Sequence, residues 1–130
     1  MKRPRPSELE LQILSVLWER GPLPVRAIRE SLPDGKDRAY TTVLTLLQIL
    51  EKKGFIGHTA QGQAHVYHPL VTRRQVLRPL MRDMLRNVFG GRPADAVQCL
   101  LDGAQLDEEE LTQIRQALQN ASPPSRGKTS

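Results

Sequence analysis

Only one cysteine, Cys99, occurs in the 130 residues. It has no disulfide partner within the chain and cannot build a metal site alone, which fits a reducing cytoplasm. Aromatic side chains are scarce, at 4% against an apolar total of 38%, so the core is expected to be modest and helical. No apolar run approaches the ~20 residues needed to span a bilayer. The start, Met1-Lys2-Arg3-Pro4-Arg5-Pro6, leads into an amphipathic segment rather than a signal peptide. A cytoplasmic chain with no membrane insertion is expected. No nucleophile–base pair, Gly-rich phosphate loop or metal-ligand cluster appears, so enzyme chemistry is set aside and neither metal nor cofactor is expected. Charge of a single sign is also missing. Residues 1–71 hold 10 Lys/Arg against 7 Asp/Glu, and residues 72–130 hold 9 against 7. The net +5 suits a polyanionic partner. Its even spread points to a structured interface rather than a basic tail.

What is present is a run of capped helices. Ser7 with Glu10 is a capping box that starts a first helix. Leu9, Ile13, Val16 and Leu17 face inward, Trp18 closes the core near its end, and Gly21-Pro22 stops it. A short second helix covers Val25–Leu32, with Val25, Ile28 and Leu32 inward, and Pro33-Asp34-Gly35-Lys36-Asp37 is a turn cluster. A third helix ends at Gly54. Phe55–Thr59 and Ala64–His68 then flank Ala60-Gln61-Gly62-Gln63 as a hairpin. The order helix, helix, helix, hairpin is a helix-turn-helix followed by a wing.

The third helix has an unusual outer face. Val43, Leu46, Leu47 and Leu50 make an apolar stripe at i, i+3, i+4 and i+7. Thr41, Thr45, Gln48 and Lys52 lie opposite. A solvated face more often carries Glu and Lys, because Thr is a mediocre helix former. Short hydroxyls and an amide suit close approach to a DNA groove. Thr41, Thr42, Thr45 and Gln48 are the expected direct contacts, and Thr41 and Thr42 also offer helix-start N–H groups to phosphate. Tyr40 is read either as a backbone contact or as a helix-start packing residue. Lys52 and Lys53 are phosphate contacts or solvated charges. His58, His65 and His68 cluster on the hairpin without an Asp, Glu or Cys at ligand spacing. They are read as exposed wing residues touching phosphate or water.

Beyond the wing, Thr72 with Gln75 opens a helix that runs toward Val88, with Pro79 expected to bend or restart it. Phe89-Gly90-Gly91 ends it, a short helix covers Ala94–Leu101, and Asp107 with Glu110 caps the last one. Leu77, Leu80, Met81, Met84, Leu85, Val88, Phe89, Leu111, Ile114 and Leu118 are more apolar surface than so short a segment can bury alone. A homodimer is the expected solution, and it presents two recognition helices to a palindrome. Arg74, Arg78, Arg82 and Arg86 read as a solvated outer face, and Cys99 as a small buried residue. The fold class expected is mainly α with a small β-hairpin. Residues 1–71 form a winged-helix domain, 72–121 a helical dimerisation region, and 122–130 a disordered tail.

These segments in this order resemble the penicillinase-repressor family of bacterial transcription factors, the BlaI/MecI/CopY group. The resemblance runs from about Ser7 to Leu118. It rests on Glu8-Leu9-Glu10 through Leu17-Trp18, Ala39 to Thr45, Glu51-Lys52-Lys53-Gly54, Val66-Tyr67, Phe89-Gly90-Gly91 and the Leu106–Leu118 helix. It implies a homodimeric repressor on inverted-repeat operators, typically with TACA/TGTA cores in double-stranded DNA. In the penicillinase branch it further implies release when a signal from a membrane sensor metalloprotease ends in cleavage of the C-terminal region. Alignment places Cys99-Leu100 where that branch has its Asn-Phe cleavage bond. The Cys-rich motif of the copper branch is missing. Ile49 stands where the family often has Arg, and Gly62-Gln63 where it often has Gly-Arg; Gln63 remains the expected wing-tip contact. Arg38, Lys52, Lys53, Arg73 and Arg74 are the cations left to hold phosphates. Two other readings remain beside the repressor: a winged-helix module for protein contact, and a regulator answering a small effector.

Overall fold

The first helix, α1 (Glu8–Arg20), begins where the chain itself supplies the missing hydrogen bonds. Ser7 Oγ accepts from the Glu10 N–H at 3.2 Å, and Glu10 Oε1 accepts from the Ser7 N–H at 2.9 Å. Gly21, at φ 84°, ends the helix. The Glu10 carboxylate has a second use that local pattern does not reveal. It is 4% exposed and accepts from Lys53 Nζ at 2.9 Å. A charge so buried is tolerated only when paired.

The computed structural model describes residues 5–121; the tail expected at 122–130 lies outside them. After α1 come β1 (Leu23–Pro24), α2 (Val25–Glu30), α3 (Tyr40–Lys52), β2 (Ile56–Gln61) and β3 (Ala64–Pro69). Then follow α4 (Arg73–Val88), α5 (Pro93–Gly103) and α6 (Glu108–Asn120). The mainly helical fold with a winged helix-turn-helix is as expected from sequence, with one addition. The hairpin is part of a three-stranded antiparallel sheet in the order β1-β3-β2. Leu23 pairs with Tyr67 and Pro24 with Val66. The hairpin turn is also tighter than expected. Gln61 still pairs with Ala64, so only Gly62 and Gln63 make the turn. Gly62 sits at φ 65°, which suits the first position of a two-residue turn.

The core of the winged unit is aliphatic, as the scarcity of aromatics required. Ile13, Leu14, Leu17, Ile28, Val43, Leu47, Leu50 and Ile56 are all below 2% exposed. They come from α1, α2, α3 and β2, so α3 is clamped on its inner face by every neighbouring element. Trp18 is half-buried and ties α1 to the start of α4: its Nε1 donates to Val71 O at 2.9 Å. Arg73 lies over its ring at 5.5 Å and pairs with Glu19 at 2.8 Å.

The chain divides into two compact units between Met81 and Arg82, later than residue 71. The reason is packing. Val76 is 7% exposed in the first unit's core, and Leu77 and Leu80 pack against that core. These two leucines, expected at a dimer interface, are therefore already engaged within the chain. Thr72 and Gln75 form the expected reciprocal cap, at 2.9 and 3.0 Å. Helix α4 runs continuously through Pro79, so it does not restart there. Pro79 and Gln75 are both exposed, so the carbonyl that loses its N–H partner is open to water.

In the second unit, Asp107 Oδ1 caps α6 by accepting from the Glu110 N–H at 2.8 Å. None of its described residues is buried. Leu85, Phe89, Leu111 and Ile114 are half-buried, while Met84 (53%), Val88 (69%) and Leu118 (61%) stand exposed. Met81, the last residue of the first unit, is 64% exposed. Cys99 is exposed rather than buried: it lies in α5, which has no buried residue. Among the described residues no helix is long and apolar enough to cross a membrane.

Candidate nucleic-acid interface

Helix α3 separates its two faces cleanly. Val43, Leu47 and Leu50 are fully buried, which leaves Thr41, Thr42, Thr45, Gln48 and Lys52 exposed on the other side. The Thr45 hydroxyl donates back to Thr41 O at 2.9 Å, so its oxygen remains an acceptor. Ile49 is 38% exposed and Tyr40 49%; Tyr40 opens the helix without being packed away. The N-terminus of α3 also differs from those of α1 and α6. Ala39 provides no capping side chain, and no acidic residue sits in the first turn. The other two are capped by Ser7 and Asp107 and carry acids in the first turn. The Thr42 N–H, expected to be open to phosphate, donates to Ala39 O at 3.1 Å, so the start of α3 offers an anion the N–H groups of Tyr40 and Thr41 and the positive dipole end.

The cations named for the phosphates are arranged less simply. Arg38 is gripped by Asp34, with Nη1–Oδ1 at 3.0 Å and Nη2–Oδ2 at 2.8 Å. The Arg38 guanidinium, and then the Lys36 N–H, hold the Asp34 carboxyl well below the usual carboxylate range. Both partners are charged at neutral pH. Because the folded-state carboxyl is depressed, the pair's contribution is present above the ordinary carboxylate range and lost as pH falls through the folded value. The Arg38 carbonyl accepts from Arg29 Nε, which holds the segment entering α3. Lys53 is committed to Glu10 and Arg73 to Glu19. Lys52 and Arg74 remain exposed. Replacing Asp34→Asn should release Arg38 to phosphate. DNA binding should then tighten, and its salt slope should steepen by about one unit, measured by fluorescence anisotropy over a salt series. An unchanged slope would show that Arg38 stays off the DNA.

The wing faces α3. His58 pairs with Tyr67 and Ala60 with His65 across the hairpin, so His58, His65 and Tyr67 share one face. His58 Nδ1 lies 2.9 Å from both Glu51 carboxylate oxygens. The His58 and His65 rings stack with centroids 4.5 Å apart. Tyr67 is buried beneath them, and burial together with the nearby Glu51 pushes its hydroxyl upward in pKa. Between wing and α3 opens a cleft of about 740 Å³. Tyr40 and Gln48 from α3 line it together with Gln63 from the turn, which brings these three expected contacts into one place. Arg26 from α2 also lines it. Nothing in the linear pattern singled Arg26 out: it is one exposed cation on a short helix, and only the fold sets it opposite the wing. The proposed cleavage pair, Cys99 and Leu100, lies inside α5, with Leu100 68% exposed.

The sequence profile of the penicillinase repressor family matches residues 6–120. The transcriptional regulator BlaI of Mycobacterium tuberculosis is 34% identical over 120 residues, covering 90% of this chain and 85% of that protein. The penicillinase repressor of Bacillus licheniformis is 25% identical over 118 residues, covering 91% and 92% respectively. The solved DNA-binding domain of the repressor BlaI superposes with a TM-score of 0.50 at 28% identity, over 55% of this chain and 88% of that one. With its hydroxyl-faced third helix, its wing and this extent of similarity, the chain belongs to the penicillinase repressor family, a family of DNA-binding transcriptional repressors and not of enzymes.

Proposed function

We propose that this chain is a cytoplasmic, dimeric repressor that holds an inverted-repeat operator in double-stranded DNA. A signal acting on the C-terminal region then releases it. The observation that carries this reading is the outer face of α3: three threonines, a glutamine and an open helix start, all exposed over a rigid inner face. Hydroxyl and amide groups read base edges in the major groove, and the Tyr40 and Thr41 N–H groups at the helix start suit a phosphate. The dimer is supported by the second unit, whose described residues bury nothing completely and so gain most from a second copy. Met81, Met84, Leu85, Val88, Phe89, Leu111, Ile114 and Leu118 form its contact surface. In this reading release follows cleavage by a membrane sensor metalloprotease. The Cys99–Leu100 bond sits within helix α5, so a protease acting there must first open that helix.

The test is titration of a labelled duplex carrying a TACA–TGTA inverted repeat. Thr45→Ala and Gln48→Ala should each weaken specific binding by ~1–3 kcal/mol and leave binding to mixed-sequence DNA nearly unchanged. Binding should fall steeply with salt. Specific binding that is indifferent to both substitutions, or to salt, would overturn the reading.

A further inference from the structure

Neither wing strand contains a lysine or arginine, and the turn between them is Gly62-Gln63. Three of the cations expected to replace a wing arginine are held elsewhere, Arg38 by Asp34, Lys53 by Glu10 and Arg73 by Glu19. What the wing does carry toward α3 is imidazole. Resting on the DNA-binding reading above, we propose that the cleft between α3 and the wing is a backbone-phosphate seat. Arg26 supplies its permanent cation and His65 a proton-dependent one, so that DNA binding takes up a proton and tightens on acidification.

The geometry favours His65 over the other histidines. His65 is exposed and lines the cleft with Gln48 and Arg26. On the repressor reading, a duplex whose bases meet Gln48 would bring its sugar–phosphate backbone to that cleft. His58 is spoken for by the Glu51 carboxylate at 2.9 Å. His68 lies on the opposite face of the hairpin, its ring packed over Gly57, where an added Cβ would meet it at 3.1 Å.

The charges around His65 set the sign of the effect. On its own sheet it faces the stacked His58 and the buried Tyr67. From α3 it faces Tyr40 and Gln48, with Glu51 acting through His58, and from α2 it faces Arg26 and Glu30. A phosphodiester bound in the cleft that Arg26 and His65 line favours the imidazolium, because an anion stabilises it and accepts a hydrogen bond from it. Imidazoles in general change charge between about pH 5 and 8, which is the range to scan. Uptake of one proton limits the gain to about tenfold per pH unit per protomer.

The experiment uses the full chain and a short mixed-sequence duplex at low salt, since phosphate contacts do not depend on sequence. Anisotropy titrations compare wild type, His65→Gln, His65→Arg and Arg26→Gln across the histidine range. Wild type should tighten several-fold on acidification. His65→Gln should be weak and flat with pH, and His65→Arg tight and nearly flat. Arg26→Gln should weaken binding at every pH and lower the salt slope by about one. All three substitutions are at exposed positions, and a thermal melt confirms that each variant folds. A wild-type affinity independent of pH, or full pH dependence retained in His65→Gln, overturns the phosphate seat while leaving the repressor reading intact. Absence of binding to any duplex at any pH overturns both.

Discussion

A double variant, Val88→Glu with Leu118→Glu, should run as a monomer in sedimentation and lose most of its affinity for a full inverted repeat. Both side chains are exposed in the single chain, at 69% and 61%, so the substitutions disturb little packing within it. Across a dimer interface the same positions would bury carboxylates among leucines and methionines, where an unpaired charge is not tolerated. Two half-sites held by one dimer gain about 10²–10⁴-fold over one half-site, and that factor is what the monomer forfeits. Affinity for an isolated half-site should be unchanged, because α3 and the wing belong to the other compact unit. The winged unit should also melt as before. A double variant that still sediments as a dimer, or a wild-type chain that is monomeric throughout, would remove this surface from the interface.

Leu47→Ala should produce a large loss of stability. Leu47 is fully buried in the cluster built from α1, α2, α3 and β2, so truncation leaves a cavity that no flexible edge can fill. The cost is ~2–5 kcal/mol, a large share of the ~5–15 kcal/mol that holds a typical domain together. A urea titration should show the midpoint drop, and operator binding should fail through unfolding. The neighbouring Gln48→Ala should weaken binding with the urea midpoint nearly unmoved. Equal midpoints for Leu47→Ala and wild type would mean that α3 is not anchored as the structure has it. The contrast between two adjacent residues separates the helix's structural face from its reading face.

Much of the scaffold is legible because its signals are local. A capping box needs only four consecutive residues, so Ser7–Glu10 and Thr72–Gln75 announce their helices before any tertiary contact exists. The two faces of α3 follow from helical period alone. The hairpin is legible too, but local pattern draws its turn two residues too long, because Ala60 and Gln61 pair with His65 and Ala64 rather than looping. Strand β1 gave no signal. Two residues carry no alternation, and the strand exists only because Tyr67 and Val66 present free backbone groups beside it.

Charged residues were the least legible. Arg38, Lys53 and Arg73 look alike in sequence as free cations near a DNA-binding helix. Each is committed to a specific carboxylate, and for Lys53 and Arg73 the partner lies far away in sequence. A point charge acts over several ångströms in any direction, so its partner is set by which loops and helix ends the fold brings together. Leu77 and Leu80 show the same limit for apolar residues: period places them on one face of α4, but not which neighbour that face meets.

By itself, then, the sequence determined the helices, their caps, the hydroxyl and amide face of α3 and the family, since each is written in short-range order or in residue identity. Only the tertiary structure decided which cations are free, which leucines are already covered, and that Arg26 and His65 share a cleft with Gln48. Those depend on contacts between segments far apart in the chain, which no local period encodes.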